Sequence, residues 1–93
     1  MKIQQARIFE NRIKKFSKLE KGTLDEEIKR IIETPSIGEE KKGDLLGVYV
    51  HKFKINTIQY LLSYRIIDDG FELIMIGPHE NYYRDLKSYL KTR

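Results

Sequence analysis

From Lys2 to about Lys21 the apolar residues Ala6, Phe9, Ile13, Phe16 and Leu19 recur three or four positions apart, while Lys14, Lys15, Lys18 and Lys21 lie mostly off that stripe. Such spacing stacks the apolar side chains on one face and predicts a long amphipathic helix. Gly22 suits the residue just past a helix end, and Thr23 with Glu26 three residues later reads as a capping box opening a second helix. Leu24, Ile28, Ile31 and Ile32 form the predicted buried face of that helix. Pro35 should stop it, because proline disfavours helical backbone in the residue ahead of it. So short a connection predicts an antiparallel helix pair.

Residues 34–47 (TPSIGEEKKGDLLG) carry a proline, three glycines and a mixed charge run, and read as a long loop. Beyond them the pattern becomes strand-like. Val48–Ile55, Ile58–Ile67 and Phe71–Ile76 are rich in Val, Ile, Tyr, Phe and Leu, and Asp69-Gly70 is a strong hairpin signal between the last two. Gly77-Pro78 ends the third strand. Asn81–Leu90, with Tyr82, Leu86 and Tyr89 or Leu90 at helical spacing, predicts a short terminal helix. The expected architecture is α+β: two N-terminal antiparallel helices packed on a face of a small antiparallel sheet of three or four strands, followed by a short C-terminal helix.

Composition narrows the chemistry. Ninety-three residues make one domain, 1–93, because a chain this short buries only about 60–65% of its unfolded surface and cannot divide that core. With no cysteine and only His51 and His79, thiolate sites and disulfides are excluded, and no metal or other cofactor is expected. The charged start of the chain (Met1, Lys2, Arg7) lacks the apolar run of a signal peptide or membrane span, so a cytoplasmic protein is expected. The formal charge is +4, and it is uneven: residues 1–40 hold nine basic and eight acidic side chains, residues 41–93 nine and six. A polyanion site is therefore best sought in the second half.

Lys52 and Lys54, two apart on a strand, leave the same face of the sheet and could clamp a phosphate. Lysines near a strand edge also serve to block unwanted pairing, and the pattern alone leaves both readings open. His79 follows Gly77-Pro78 at the mouth of a loop, held but reachable, where an imidazole suits proton transfer; it could equally cap the next helix or bond Glu80. His51 points to the opposite face from Lys52 and reads as a packed or surface histidine. Of the adjacent aromatics, Tyr82 shares the helix stripe and is the core candidate, though it belongs to the substrate-binding set by position, and Tyr83 is free to stack on a base. Arg84 could neutralise a phosphate. Arg65 either adds charge to the site or pairs with Asp68 or Glu72, and the pairing is the favoured reading.

Taken together, GDLLGVYVHKFK, IQYLLSYRI, the Asp68-Asp69-Gly70 turn, FELIMIG and GPHENYYRDLK resemble the RelE/ParE superfamily of toxins over nearly the whole chain. The resemblance implies a bacterial or archaeal growth inhibitor of a type II toxin–antitoxin system, monomeric when free and neutralised by a cognate antitoxin. The long N-terminal helix and the sheet flank are the surfaces expected to receive that antitoxin. RelE-like members cleave mRNA, usually on the ribosome, whereas ParE-like members poison DNA gyrase; fold alone does not choose. Lys52 and Lys54 match a lysine pair of the RelE-like nucleases, His79 a histidine of the YafQ- and HigB-like branches, and Tyr83 an aromatic a few positions later. The chain departs from RelE in having Leu61 where RelE carries an arginine in the middle strand, and a histidine where it carries arginines after the last strand. An mRNA-cleaving endoribonuclease is thus expected, with His79, Lys52, Lys54 and Tyr83 catalytic and Arg84, Arg65 and Tyr82 on the substrate side; the alternatives are a gyrase inhibitor without nuclease activity and a non-catalytic nucleic-acid-binding module, for which basic charge and aromatics suffice.

Overall fold

The computed structural model describes residues 2–93, so Met1 lies outside it. The chain opens with a strand, not a helix. β1 (Lys2–Gln5) pairs in parallel with the start of the last strand, Lys2 opposite Gly70 and Gln5 opposite Leu73. Then come α1 (Arg7–Ile13), α2 (Lys18–Glu33), a two-residue strand β2 (Glu39–Glu40) between two 3-10 turns, β3 (Val48–Ile55), β4 (Ile58–Ile67), β5 (Gly70–Pro78) and α3 (Tyr82–Thr92). The three long strands and the terminal helix fall where the apolar pattern places them.

The N-terminal half differs from expectation for physical reasons. A helix from Lys2 to Lys21 would run about 30 Å, nearly the longest dimension of a molecule measuring 33 × 29 × 21 Å. It could not fold back over the sheet. The chain turns instead at residues 14–17, and the capping box that opens α2 is Ser17 with Glu20: the Ser17 side chain accepts from the Glu20 N–H at 3.1 Å, and the Ser17 N–H donates to Glu20 at 2.7 Å. Gly22 is therefore an exposed residue inside α2, and the Thr23 hydroxyl bonds back to the Leu19 carbonyl. The early turn keeps Phe16 packed against the core and leaves Leu19 70% exposed. α2 ends ahead of Pro35, as the proline requires.

The sheet has five strands in the order β1-β5-β4-β3-β2 and is mixed, with β1 parallel to β5 and every other pair antiparallel. The expectation of three or four antiparallel strands missed the two edges. KIQQ and EE are too short and too polar to show an alternating pattern, and they are strands because a neighbour offers them hydrogen bonds.

Both faces of the sheet are covered, where packing of the helices on one face was expected. Phe9, Leu24 and Ile31 of the first two helices pack on Phe53, Ile55, Tyr60, Leu62, Tyr64, Leu73 and Ile76. On the other face Tyr82 and Leu86 of α3, with Leu45, pack on Val48, Val50, Leu61, Ile74 and Met75. This is why Tyr60–Tyr64 and Leu73–Gly77 are buried without interruption. A bulge pairs Ser63 with Met75 but Tyr64 with Leu73, and the extra residue, Ile74, lets Ile74 and Met75 both serve the α3 core. Each large side chain so enclosed stabilises the fold by about 1.5–3 kcal/mol. Among the described residues no helix is long and apolar enough to cross a membrane.

Candidate active site

α3 covers only part of its sheet face. Along β3 the alternation puts Val48 and Val50 under α3, and the next two residues on the same side, Lys52 and Lys54, are exposed. Strand register carries the row across the sheet: Lys54 stands opposite Gln59, and the His79 N–H donates to the Gln59 carbonyl at 3.2 Å. The row above runs Lys52, Leu61, Gly77. Lys52 and Lys54 thus share one uncovered face, and His79, the residue after β5, is held by its backbone at the same end of the sheet. With neighbouring strands about 4.8 Å apart, the backbones of Lys54 and His79 are about 10 Å apart.

His79 is the hinge from strand to helix. Its carbonyl accepts from the Tyr82 N–H at 3.3 Å, and Asn81, with φ 61°, takes the left-handed conformation that Asn tolerates better than most residues. The chain thereby reverses over the sheet and sets the start of α3 beside the lysine pair. Tyr82 is buried, donating to the Met75 carbonyl at 2.6 Å and lying 2.8 Å from the Ser63 hydroxyl; burial pushes its phenol well above the ordinary range. It supports the site from beneath and does not reach substrate. Tyr83 stands edge-on to Tyr82, ring centroids 5.8 Å apart, at the margin of the open area.

Two residues absent from the sequence-derived set complete this margin. β2 pairs Glu39 with Val50, and the Lys41 N–H donates to the Val48 carbonyl, so both side chains join the α3 face. Lys41 forms an ion pair with Glu39 and holds its ammonium 5.0 Å from the centre of the Tyr83 ring. The hydrogen bond and then the charge of Lys41 hold the Glu39 carboxyl below its usual range, with Lys52 adding to the effect, and Glu39 in turn raises Lys41. A cleft of about 360 Å³ beside them is lined by Ile37, Glu39, Val50, His51 and Lys52. The only signal for this cluster was the charge run in the loop, whose strand geometry was invisible.

Arg12 is the other omission. Its guanidinium donates to the Ile76 carbonyl at 3.1 Å, lies 3.6 Å from Asp85, and sits so close to Gly77 that a Cβ there would fall 2.6 Å from its nitrogen. It reaches the site across 64 residues of sequence, which no local pattern announces.

The remaining candidates lie elsewhere. Arg65 pairs with Glu72 at 3.8 Å, in the row of Val48 at the other end of the sheet from His79, and Glu72 is held more closely by Arg93. Arg84 is largely exposed at the start of α3, 3.6 Å from Asp85. His51 is buried on the α2 side, 2.7 Å from Glu27 and stacked on Phe53. Leu61 is fully buried beneath α3, so the middle of the sheet offers substrate no charge. Among the described residues no group of three or more His, Asp or Glu is placed to hold a metal ion.

This arrangement meets the comparisons with known proteins at residues 3–87, which match the family described as ParE-like toxin of type II bacterial toxin-antitoxin systems. The chain belongs to this family. The ParE-like fold is also that of several solved structures. A chain of the intact E. coli RelBE toxin-antitoxin complex is similar at 21% identity and TM-score 0.65, covering 84% of this chain and 95% of that one. The isolated E. coli RelE toxin gives 21% identity, coverage of 94% and 96%, and TM-score 0.62. A double Arg→Ala mutant of E. coli RelE in the free state gives 18%, 98% and 96%, and 0.70. At such identities the likeness is one of fold. No curated protein sequence matches the chain. The ParE-like toxin described here thus presents, on a RelE-like scaffold, two lysines and a histidine at the open end of its sheet.

Proposed function

We propose that this ParE-like toxin is an endoribonuclease that cleaves mRNA, in association with the ribosome, and is held inactive by a cognate antitoxin. The observation that supports the reading is that Lys52, Lys54 and His79 are all exposed at the same end of the sheet. In the reaction the ribose 2′-OH attacks the adjoining phosphate, a 2′,3′-cyclic phosphate forms, and the 5′-oxygen leaves with a proton. A base, an acid and stabilisation of the added negative charge are needed. His79 is the proton-transfer group. Lys52 and Lys54 stabilise the phosphorane and share in proton transfer, Tyr83 orients a base, and Arg84 meets a flanking phosphate. The antitoxin assignment extends to this chain what the RelBE complex is named for; the free toxin is taken as monomeric.

Primer extension on a defined mRNA, with translating ribosomes and purified toxin, tests the reading. Cleavage by the wild type should fall by about 100- to 10,000-fold in His79→Ala, the usual worth of a placed acid–base group. Unchanged cleavage would remove His79 from the mechanism. The match to ParE-like toxins favours one alternative, inhibition of DNA gyrase without nuclease activity. A supercoiling assay run beside the first decides between them: loss of gyrase activity with intact mRNA overturns the nuclease.

A further inference from the structure

β5 loses its outer neighbour before it ends. β1 pairs with it only as far as Leu73, and the strand then runs on through Gly77 and Pro78 directly into His79. These two residues do little to fix themselves: glycine has the freest backbone of any residue, and proline locks its own φ but has no N–H to donate. His79 is tied to β4 by its N–H on the Gln59 carbonyl, and to α3 by the Tyr82 N–H on its own carbonyl. Arg12, in the last turn of α1, takes the place of the missing neighbour. Its guanidinium donates to the Ile76 carbonyl at 3.1 Å and stands over Gly77, where a Cβ would meet it at 2.6 Å. Another of its nitrogens lies 3.6 Å from Asp85 in the first turn of α3, a carboxylate that the exposed Arg84 shares from the solvent side. One half-buried side chain therefore grips the strand ahead of the turn and the helix behind it. Phe9 of α1 and Leu86 of α3 pack on opposite faces of the sheet, so this bridge passes the open edge of β5.

We infer that Arg12 is a positioning residue for the proposed cleavage: it staples the end of β5 to the first turn of α3 and so sets where His79 stands. The role rests on the nuclease reading above and gives Arg12 no contact with RNA; its pairing with Ile76 and Asp85 is the function itself. A guanidinium suits the task because its rigid planar fork donates in two directions at once, which the point charge of a lysine does not reproduce. Gly77 is explained by the same contact. Its backbone is not left-handed, so conformation alone would admit alanine, and it is the guanidinium that takes the space a side chain would need. A turn held this way matters to rate, since displacing a reacting group by about 1 Å costs about 100-fold.

The test uses full-length toxin, with thermal melts to check that each variant is folded. Two histidines are present, and His51 is buried against Glu27 on the α2 side, so the NMR signals of the His79 imidazole can be followed with those of His51 as an internal reference. Arg12→Lys keeps the charge and removes the fork; the His79 signals should move while those of His51 stay. On ribosomes programmed with a defined mRNA, kcat of this variant should fall about tenfold to 100-fold, with KM changed by less than about threefold. Gly77→Ala, which drives the guanidinium off its seat, should lose activity alike, but add less than about twofold in an Arg12→Ala background, where the displaced group is already gone. Lys29→Ala, exposed on α2, is the control. Unmoved His79 signals in Arg12→Lys overturn the proposal whatever happens to cleavage, and so do His51 signals that move as far as those of His79, which would mean general loosening. Moved His79 signals with kcat within about twofold of wild type overturn the positioning role and leave the nuclease standing. If the wild type does not cleave, the nuclease reading falls and the role of Arg12 in it falls too, while the histidine spectra still report whether Arg12 holds the turn.

Discussion

The hydroxyl of Tyr83 is buried with no partner at hydrogen-bonding distance, alone in this among the side-chain polar atoms of the described residues, and the Lys41 ammonium, whose pKa Glu39 and then Tyr83 raise, is the group placed to approach it. Enclosing such a group unpaired costs about 1–3 kcal/mol. Its ring is well used, edge-on to Tyr82 and beneath the Lys41 ammonium. Tyr83→Phe keeps the ring and removes the unpaired oxygen, so it should stabilise the protein by about 1 kcal/mol, or roughly 4–8 °C in Tm for a domain of this size. If Tyr83 acts by stacking, mRNA cleavage by this variant should stay within a few-fold of wild type. A melting curve no higher than wild type would show that the hydroxyl is paired in solution. A drop of tenfold or more in cleavage at unchanged KM would move the hydroxyl into proton transfer.

At the scale of elements, two Ser/Thr-x-x-Glu patterns compete to open α2, and the structure uses Ser17 with Glu20. Ser17→Ala should then cost about 1 kcal/mol, the usual worth of an N-cap, while Thr23→Ala, inside the helix, should change stability by less than about 0.5 kcal/mol. Urea titrations of the two variants check this, and the reverse order would place the helix start at Thr23. β3, β4, β5 and α3 were legible because their apolar spacing is dictated by the surfaces they bury. The break between α1 and α2 was not, because both capping patterns satisfy the same local rule and only the length of the sheet beneath chooses between them. β1 and β2 take their strand character from β5 and β3. The site divides along the same line: Lys52, Lys54 and His79 stand on locally readable elements, whereas Arg12, Glu39 and Lys41 reach the site through pairings that residue spacing does not encode.

At the scale of the whole molecule, α3 has two tasks on one sheet face, closing the core over Leu61 and Met75 and bounding the open end that holds the lysines and His79. Tyr82 ties the tasks together, since its hydroxyl is bonded within the sheet and its backbone begins the helix at the His79 carbonyl. Burial keeps its proton on in the folded state well above its ordinary value of 10.0. The unfolded chain gives up that proton near pH 10 while the folded chain retains it, so the unfolded state binds fewer protons and stability falls as pH rises beyond that point. Tyr64, also raised chiefly by burial, contributes in the same direction. Tyr82→Phe should be about 1 kcal/mol less stable at pH 7, because a hydrogen bond is lost while Ser63 still donates to the Met75 carbonyl. Above pH 10 its stability should decline less steeply than that of the wild type, and the two curves should converge. Denaturant midpoints measured from pH 8 to 11 decide the matter: parallel curves throughout would mean that the Tyr82 hydroxyl ionises as readily in the folded protein as in water, and that α3 is not anchored through it.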